Sequence, residues 1–370
     1  MHVLVTADTV GGVWTYTREL VSGLAKRGIR VTLVSFGGIP SRAQTAWLES
    51  LSDVTYFPTG FRLEWMQDAA SDLSESAEYL HGIIRECNPD LLHLSQYCYG
   101  SMDVTLPKIV VAHSDVMSWS LAVRGVHPDN LWARWYREIV EQGLAGASLL
   151  VAPSQGMLHC IESCYGGHPR SRVIYNGRSP ALFNPFVSKH NYAASIGRLW
   201  DEGKQSLLLM QLNPSPVPIF LAGASTMAGE SADENIAGPA NSGQDIQFKG
   251  ELSEGEIREL LSRAAIYIAT SKYEPFGLAP LEAALSRCAI VANDIPNLRE
   301  IWGDAACYFR SSDLESLRQA LVLLHGNREL RLTYANRAYD RARQRYTADR
   351  MVEEYVQAYR ALLERRVRVA

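Results

Sequence analysis

The chain has 370 residues, of which 47% are hydrophobic and 21% are charged, and its formal net charge is -4. A single hydrophobic core rarely extends beyond about 300 residues, so this length favours two domains. Proteins that bind nucleic acids usually carry a clear positive excess. The slight negative charge therefore gives no reason to expect a nucleic acid as the main partner.

The N-terminus and the cysteines both favour a cytoplasmic protein. The first residues enter a strand-like run without a charged leader or an apolar signal segment, and no apolar run approaches the roughly 20 residues of a membrane span. The six cysteines show neither a CxxC pair nor a disulfide-like spacing, so reduced thiols are expected. Cys160 and Cys164 lie on one expected helix, but without further ligands at suitable spacing no metal site is predicted.

Short apolar runs rich in β-branched residues alternate with helix-length amphipathic segments through the first half of the chain. The runs lie at 3–7, 31–36, 91–94, 109–113 and 149–153. Between the first two, Leu20, Val21 and Leu24 mark one face of a helix, and Gly28 supplies its end. This alternation is typical of βαβ units and predicts a parallel sheet covered by helices.

The alternation lapses in the stretch at 178–191, which contains two prolines and two asparagines, so we expect a domain boundary there. A second series follows, with apolar runs at 193–199, 218–223, 246–250, 265–270 and 289–294. The small polar residues at 225–245 predict a surface loop. The sequence therefore predicts an α/β protein with two Rossmann-like, doubly wound domains.

The segment SKYEPFGLAPLEAALSR at 271–287 joins the run at 265–270 to an expected helix. Ligands of open α/β sheets bind at the carboxyl ends of the strands, where this segment begins. The backbone N–H groups of Phe276, Gly277 and Leu278 precede the helix and lack carbonyl partners four residues back. They and the positive end of the helix dipole suit phosphate or hydroxyl oxygens.

Two glutamates, Glu274 and Glu282, flank this loop. Glu282 lies about one turn into the helix, where a carboxylate can accept hydrogen bonds from the vicinal hydroxyls of a ribose. Glu274 precedes the loop and lies closer to the expected ligand. Taken singly, each has a plainer interpretation, because Glu282 also complements the helix dipole and Glu274 also fits a surface turn.

The element E-P-F-G-L-x-x-L-E-A, with Glu274 and Glu282 as its two glutamates, closely resembles the E-x7-E signature of the retaining, GT-B-fold nucleotide-sugar transferases of glycosyltransferase family 4. The resemblance implies that Glu282 holds the nucleotide ribose and that Glu274 lies by the donor sugar. It also implies that the amides of Phe276, Gly277 and Leu278 hold sugar hydroxyls or phosphate.

Three further elements resemble the same family. S-I-G-R-L, followed by Lys204, is similar to the family's G-R-L…K element, which implies that Arg198 and Lys204 clamp the donor diphosphate. Fixed cations can stabilise the charge that develops there without a metal. Gly11 and Gly12 resemble the glycine pair that packs against the donor phosphates, and His113 matches a histidine near the donor sugar. Taken alone, the glycines fit an ordinary turn and the histidine fits a structural role.

The chain departs from the family pattern at two places. N-G-R at 176–178 resembles N-G-V-D, but arginine and serine replace valine and aspartate, so no function is assigned to Arg178. Trp14 and Tyr16 follow the glycine pair, where many members carry small or polar residues. They either offer aromatic faces to an acceptor or belong to the core of the first helix.

The resemblance implies a GT-B architecture in which two domains face each other across a cleft. The expected parts are an acceptor-binding domain at 1–178, a donor-binding domain at 179–346 and a C-terminal helix at 347–370 that returns to the N-terminal domain. The expected activity is same-face, metal-independent transfer of a hexose such as glucose, without a cofactor, from a nucleoside-diphosphate sugar. A UDP-sugar is the favoured donor, and the acceptor is a hydroxyl of a small molecule, a saccharide or a lipid-linked compound.

Two alternatives stay open. One is a nucleotide-sugar epimerase on the same fold, and the other is a degenerate, non-catalytic transferase-like partner. The second would be expected to have lost some of Arg198, Lys204, Glu274 and Glu282, and all four are present.

Arginines outnumber nearby acids in parts of the C-terminal segment. They form either the solvated faces of amphipathic helices or a peripheral contact with an anionic membrane at the inner face. These arginines are Arg337, Arg341, Arg343, Arg345, Arg360, Arg365, Arg366 and Arg368.

Overall fold

The alternating strands and helices that the sequence predicts are present in both halves of the chain, in a computed structural model that describes residues 1–226 and 245–369. The surface loop expected at 225–245 lies almost wholly outside the described residues. The chain divides into two units. Unit 1 comprises Met1–Gly177 and Ala348–Ala370, and unit 2 comprises Arg178–Thr347.

Unit 1 is built on a parallel sheet. Its strands are β1 (His2–Asp8), β2 (Arg30–Phe36), β3 (Val54–Pro58), β4 (Leu91–Leu94), β5 (Lys108–Val111), β6 (Leu149–Ala152) and β7 (Ser171–Val173). They are ordered β3-β2-β1-β4-β5-β6-β7, and neighbouring strands pair in parallel. The strand order reverses between β1 and β4, and ligands of doubly wound sheets bind at such a switch point.

Helices cover this sheet. They are α1 (Gly12–Ala25), α2 (Arg42–Thr45), α3 (Ala70–Cys87), α4 (Val116–Arg124), α5 (Leu131–Gly146) and α6 (Gln155–Tyr165). The side chains of Asp115, Asn130 and Ser154 accept backbone N–H groups in the first turns of α4, α5 and α6. Such caps satisfy donors that a helix start leaves without partners, and so they fix where each helix begins.

Unit 2 contains a second parallel sheet. Its strands are β8 (His190–Ile196), β9 (Ile219–Ala222), β10 (Ile246–Phe248), β11 (Ala264–Ala269), β12 (Ala289–Asn293) and β13 (Ala306–Phe309). They are ordered β10-β9-β8-β11-β12-β13, again with parallel neighbours. The strand order reverses between β8 and β11, so the segments that follow these two strands occupy the place where a ligand is expected.

The helices of unit 2 are α7 (Ser206–Met210), α8 (Glu254–Arg263), α9 (Leu278–Leu285), α10 (Pro296–Trp302), α11 (Leu314–Gly326) and α12 (Arg328–Arg345). The core of the unit joins strand residues such as Ile219, Ile266 and Val291 to Leu321 of α11 and Ala335 of α12. The prediction of two doubly wound α/β domains is confirmed.

The last helix, α13 (Ala348–Val369), belongs to unit 1. It packs on α1 so closely that a Cβ atom at Gly23 would lie 2.5 Å from Cγ2 of Val352, so any larger residue at this position of α1 would force Val352 to shift. Tyr355 and Tyr359 of α13 are fully buried. Among the described residues, none of the helices combines the length and the apolar composition that a membrane span requires.

Candidate active site

The loop between β11 and α9 contains one residue, Gly277, whose backbone conformation only glycine adopts easily. Gly277 has φ of 94°, and an added Cβ would lie 3.2 Å from Cγ of both Glu274 and Pro280. The Phe276 side chain is buried, with its ring centroid 5.4 Å from that of Tyr346. This anchor holds the backbone of Phe276, Gly277 and Leu278 at the start of α9, where helix N–H groups need outside acceptors.

Glu274 and Lys204 form an ion pair at the carboxyl edge of the sheet. Nζ of Lys204 lies 2.7 Å from Oε2 of Glu274, and the side chains are 23% and 11% exposed. The hydroxyl of Ser271 donates to the same carboxylate oxygen at 2.9 Å. The hydroxyl of Thr270 also donates to the backbone carbonyl of Lys204 at 2.6 Å. The segments that follow β8 and β11 are therefore connected by an ion pair and by a hydrogen bond from a side chain to the backbone.

Arg198 lies in the segment that follows β8 and has a carboxylate partner of its own. Its Nη2 lies 2.8 Å from Oδ2 of Asp201, and its side chain is 39% exposed while that of Asp201 is 6% exposed. The other oxygen of Asp201 accepts the N–H of Gly203 at 2.9 Å. Each of the two cations expected to bind a diphosphate is thus matched with one carboxylate, which holds it in place in the described structure.

Glu282 lies in α9 and is paired with Arg178, a residue to which the family pattern assigns no function. Nε of Arg178 lies 2.8 Å from Oε1 of Glu282, and the two side chains are only 2% and 13% exposed. The one signal in the sequence was the arginine that replaces valine in N-G-R. That signal did not point to Glu282, because the two residues are far apart along the chain.

His113 follows β5 in unit 1 and is half-buried. Its ring centroid lies 4.5 Å from that of Tyr16, edge to face, and its Nε2 lies 3.4 Å from Oγ of Ser95. Burial lowers the pKa of His113 to about 3. Because the imidazole is neutral at pH 7, it can exchange hydrogen bonds with a bound molecule but carries no charge.

His93, in β4, is a further residue of this region, and in the sequence it is only one member of the apolar run at 91–94. It is fully buried between two tyrosines, with Nε2 3.1 Å from the hydroxyl of Tyr16 and Nδ1 2.8 Å from the hydroxyl of Tyr359. Burial is the main cause that lowers the pKa of His93 to about 3, and the nearby His113 lowers it further. The neutral ring therefore links α13 to α1, donating from one nitrogen and accepting at the other.

The glycine pair and the two aromatic residues lie at the start of α1. Gly11 has φ of 68° and precedes the helix, and Gly12 is its first residue. Trp14 and Tyr16 are 7% and 1% exposed. The indole N–H of Trp14 donates to the carbonyl of Gln44 at 3.2 Å. The structure therefore favours the interpretation of Trp14 and Tyr16 as core residues over that of an acceptor platform.

The structure brings the expected residues together in two groups, each within one unit. In unit 2, Arg198 and Lys204 follow β8, and Glu274 and the loop amides follow β11, with Glu282 in the next helix. In unit 1, Tyr16 connects the segment of the glycine pair to His113. In the described residues, no three His, Cys, Asp or Glu side chains group as metal ligands.

Two doubly wound parallel sheets, with charged residues at the carboxyl ends of the strands of the second, define the GT-B architecture, and solved structures agree. Sucrose-phosphate synthase from Thermosynechococcus elongatus aligns with a TM-score of 0.79 and 15% identity, over 98% of this chain and 99% of that chain. The Anabaena protein Alr3699/HepE, solved with UDP-glucose, aligns with a TM-score of 0.74 and 16% identity, over 98% and 100%. Both likenesses show the fold.

Family models identify the chain more closely. Residues 10–182 match the model described as Glycosyltransferase Family 4, and residues 184–341 match the model described as Glycosyl transferases group 1. The chain belongs to the family 4 glycosyltransferases and is a transferase enzyme. The resemblance given by Glu274 and Glu282 is thereby confirmed at the level of the family.

Curated relatives include bacterial mannosyltransferases. O-antigen chain mannosyltransferase C of Escherichia coli is 23% identical over 98% of both chains. Lipopolysaccharide core biosynthesis mannosyltransferase LpcC of Rhizobium leguminosarum bv. viciae is 36% identical, but over 26% of this chain and 30% of that protein. The match to LpcC thus spans less than a third of that relative.

Proposed function

We propose that this chain is a retaining hexosyltransferase that moves a sugar from a nucleoside-diphosphate sugar to a hydroxyl group of an acceptor. The observation that carries the proposal is the 2.7 Å contact between Nζ of Lys204 and Oε2 of Glu274 at the switch point of the unit 2 sheet. It puts a cation suited to a leaving diphosphate beside a carboxylate suited to sugar hydroxyls. Transfer requires both at the bond that breaks.

In this proposal, unit 2 binds the donor. Glu282 holds the ribose hydroxyls, and the amides of Phe276, Gly277 and Leu278 hold oxygens of the sugar or phosphate. Glu274 orients the sugar and keeps Lys204 in position. Since Glu274 already neutralises Lys204, a bound diphosphate competes for this cation as its own charge grows. Stabilisation is therefore stronger at the transition state than in the bound substrate.

The reaction exchanges one bond at the anomeric carbon for another. The bond from that carbon to the diphosphate oxygen breaks, and the acceptor oxygen forms a bond on the same face. The diphosphate takes both the electron pair and the acceptor's proton. Arg198 and Lys204 stabilise the departing charge. Glu274 is therefore not a nucleophile of the kind found in retaining glycosidases.

His113 contributes as a neutral group. The family resemblance assigns it a place near the donor sugar, and the lowered pKa means that it acts there as a hydrogen-bonding partner without charge. Its tautomer is set by its surroundings, which include the hydroxyl of Ser95. We propose that unit 1, which carries this residue, binds the acceptor.

The donor we propose first is a UDP-hexose, with glucose as its sugar. The HepE structure, which shares the fold, contains UDP-glucose. The relative that aligns over nearly its whole length is by name a mannosyltransferase, so mannose is the second sugar to test. We propose that the acceptor is a saccharide or a lipid-linked saccharide, since the names of the two relatives refer to O-antigen and lipopolysaccharide core.

The test combines binding with stereochemistry. A thermal-shift series with UDP, GDP and ADP should show stabilisation by one of them, with UDP expected. Incubation with the corresponding glucose and mannose donors, followed by NMR of the released sugar, should show slow hydrolysis with the anomeric configuration kept. Epimerised sugar from donor alone would support the epimerase alternative. Stabilisation by none of the three nucleotides would contradict the proposal.

A further inference from the structure

The buried pair of Arg178 and Glu282 points to a role for Arg178 that the family pattern does not contain. We infer that Arg178 is a positioning residue that fixes the carboxylate of Glu282 for the ribose hydroxyls of the donor nucleotide. The inference rests on the proposed function, because it concerns the nucleotide site in unit 2.

The backbone of Arg178 is held by the segment at the other end of unit 2. Its N–H donates to the carbonyl of Tyr346 at 3.1 Å, and it forms an isolated parallel bridge with Thr347. These residues adjoin the two points at which the chain passes between units 1 and 2. The first residue of unit 2, Arg178, is therefore hydrogen-bonded to the last residues of the same unit, Tyr346 and Thr347.

The side chain of Arg178 is equally constrained. The guanidinium carbon lies 5.6 Å from the centre of the Phe183 ring, an arrangement in which a cation is attracted to the ring. Only 2% of the side chain is exposed. A long side chain packed in this way keeps its charged end in one position, so its partner carboxylate is fixed as well.

The ion pair determines the orientation of Glu282. With Nε of Arg178 2.8 Å from Oε1, rotation of the carboxylate about its last bond would break the contact. A carboxylate offers about four acceptor positions, so an arginine and a diol can share it. Because vicinal hydroxyls require acceptor oxygens at set positions, a fixed carboxylate binds them with less loss of entropy than a mobile one.

The same segment also supports the neighbouring loop. Tyr346, which accepts the N–H of Arg178, has its ring against Phe276, and its hydroxyl donates to the carbonyl of Ile301 at 2.8 Å. Arg178 thus belongs to a brace that reaches both Glu282 and the loop of Gly277. Arginine suits this place better than lysine, since its planar, delocalised charge matches a carboxylate over a defined geometry.

The experiment measures the affinity for UDP and for 2′,3′-dideoxy-UDP by calorimetry, in the full-length chain and its variants. Arg178→Met is expected to weaken UDP binding by about 10- to 100-fold, the size of one hydrogen bond to a charged group. The same change should alter binding of the dideoxy nucleotide by less than about threefold, because that ligand has no ribose hydroxyls for Glu282 to hold. Glu282→Gln should show the same selectivity.

Two further variants guard against loss of the fold. Arg178→Lys keeps a cation at the site and should give an intermediate loss of UDP affinity. Arg331→Met is the matched control, since Arg331 is a partly buried arginine of unit 2 that donates to the carbonyls of Leu324 and His325 and takes no part in the contacts of Arg178 described above. It should lower stability without changing the ratio of the two affinities.

The outcomes separate the two hypotheses. Equal losses for both nucleotides in Arg178→Met and Arg178→Lys would show a merely structural role and overturn the inference. Unchanged UDP affinity in these variants would also overturn it while leaving the proposed function intact. If the unmodified chain bound no nucleoside diphosphate, both the proposed function and the inference would fail.

Discussion

The two candidate regions of the molecule differ in charge: the region in unit 2 is built from ion pairs, and the region in unit 1 from neutral groups. In unit 2, the candidate residues form ion pairs of one cation with one carboxylate, such as Lys204 with Glu274, and Glu282 pairs with Arg178, which was not expected to take part. In unit 1, the group around His113 is uncharged, because burial lowers the pKa of both His93 and His113 to about 3. The difference fits a division of labour in which unit 2 binds the anionic donor.

The two arrangements respond differently to substitution. An ion pair with partial exposure can exchange one partner for a charged ligand, because water and the ligand compensate for the lost contact. A buried neutral network has no such freedom, since a lost donor or acceptor leaves a polar atom without a partner. Changes in unit 2 should therefore appear first in turnover, and changes in unit 1 first in stability.

The largest effect is expected from Lys204→Ala. The change removes a cation 2.7 Å from Glu274 and should lower kcat by about 100- to 1000-fold, as loss of a group that stabilises developing charge does elsewhere. The KM for the donor should change much less. Steady-state kinetics with the best donor from the nucleotide series measures both constants.

Arg263→Ala is the control for this substitution, because Arg263 is a more exposed cation of unit 2 that pairs with Glu259 within α8. It should leave kcat within about twofold, as expected for an exposed pair of small energy. A double variant of Lys204 and Glu274 should lose less than the product of the single losses, since the two residues act together. Full turnover in that double variant would refute the assigned roles.

The next effect is a sensitivity to acid that should originate in unit 1. His93 and His113 have folded-state pKa values of about 3, below the ordinary value of 6.5, so the unfolded chain binds protons first as pH falls. Their contribution to stability is complete above pH 6.5 and is lost between 6.5 and 3. The free energy of unfolding should fall by about 1.4 kcal/mol per pH unit for each histidine.

Urea unfolding at a series of pH values checks this expectation, with His93→Gln as the variant that removes one of the two titrations. The variant should be less stable at neutral pH but should lose less stability on acidification. His159→Gln is the control, because His159 is an exposed residue of α6 in the same unit. Identical pH slopes for the unmodified chain and His93→Gln would show that folding does not change the pKa of His93, which would contradict the expectation.

The sequence predicted the fold, and it marked candidate residues more clearly in the ion-paired region than in the neutral one. Buried parallel strands require continuous runs of apolar residues, such as VLVTA at 3–7, and these are visible in the sequence. Glu274 and Glu282 could be named as candidates because a loop and a helix start fix their spacing locally. Gly277 could be named for the same reason.

Arg178 and His93 were not predicted as site residues, because each depends on a partner that is distant along the chain. His93 bonds to Tyr16 and Tyr359, which are 77 and 266 residues away in sequence. In the sequence, a histidine within an apolar strand gives the same pattern whether or not it has hydrogen-bonding partners in the fold. These contacts exist only because α1 and α13 both pack next to β4, and neither the composition nor the local spacing of a strand encodes that packing.

The smallest effect we predict is that of Tyr359→Phe. The change removes the hydroxyl that lies 2.8 Å from Nδ1 of His93, and the free energy of unfolding should fall by about 1 to 3 kcal/mol. Tyr99→Phe is a matched control, since the buried hydroxyl of Tyr99 donates to Ser76 elsewhere in unit 1 at 2.9 Å. Urea unfolding should show similar losses for the two variants.

Turnover should separate these two variants. The chain of contacts from Tyr359 through His93 to Tyr16 ends at the ring of His113, so Tyr359→Phe frees His93 to change its tautomer and loosens that ring. We expect kcat to fall by less than about tenfold in Tyr359→Phe and to stay unchanged in Tyr99→Phe. Equal kcat values for the two would mean that α13 stabilises unit 1 without positioning His113, and the contrast between the regions would then be one of stability alone.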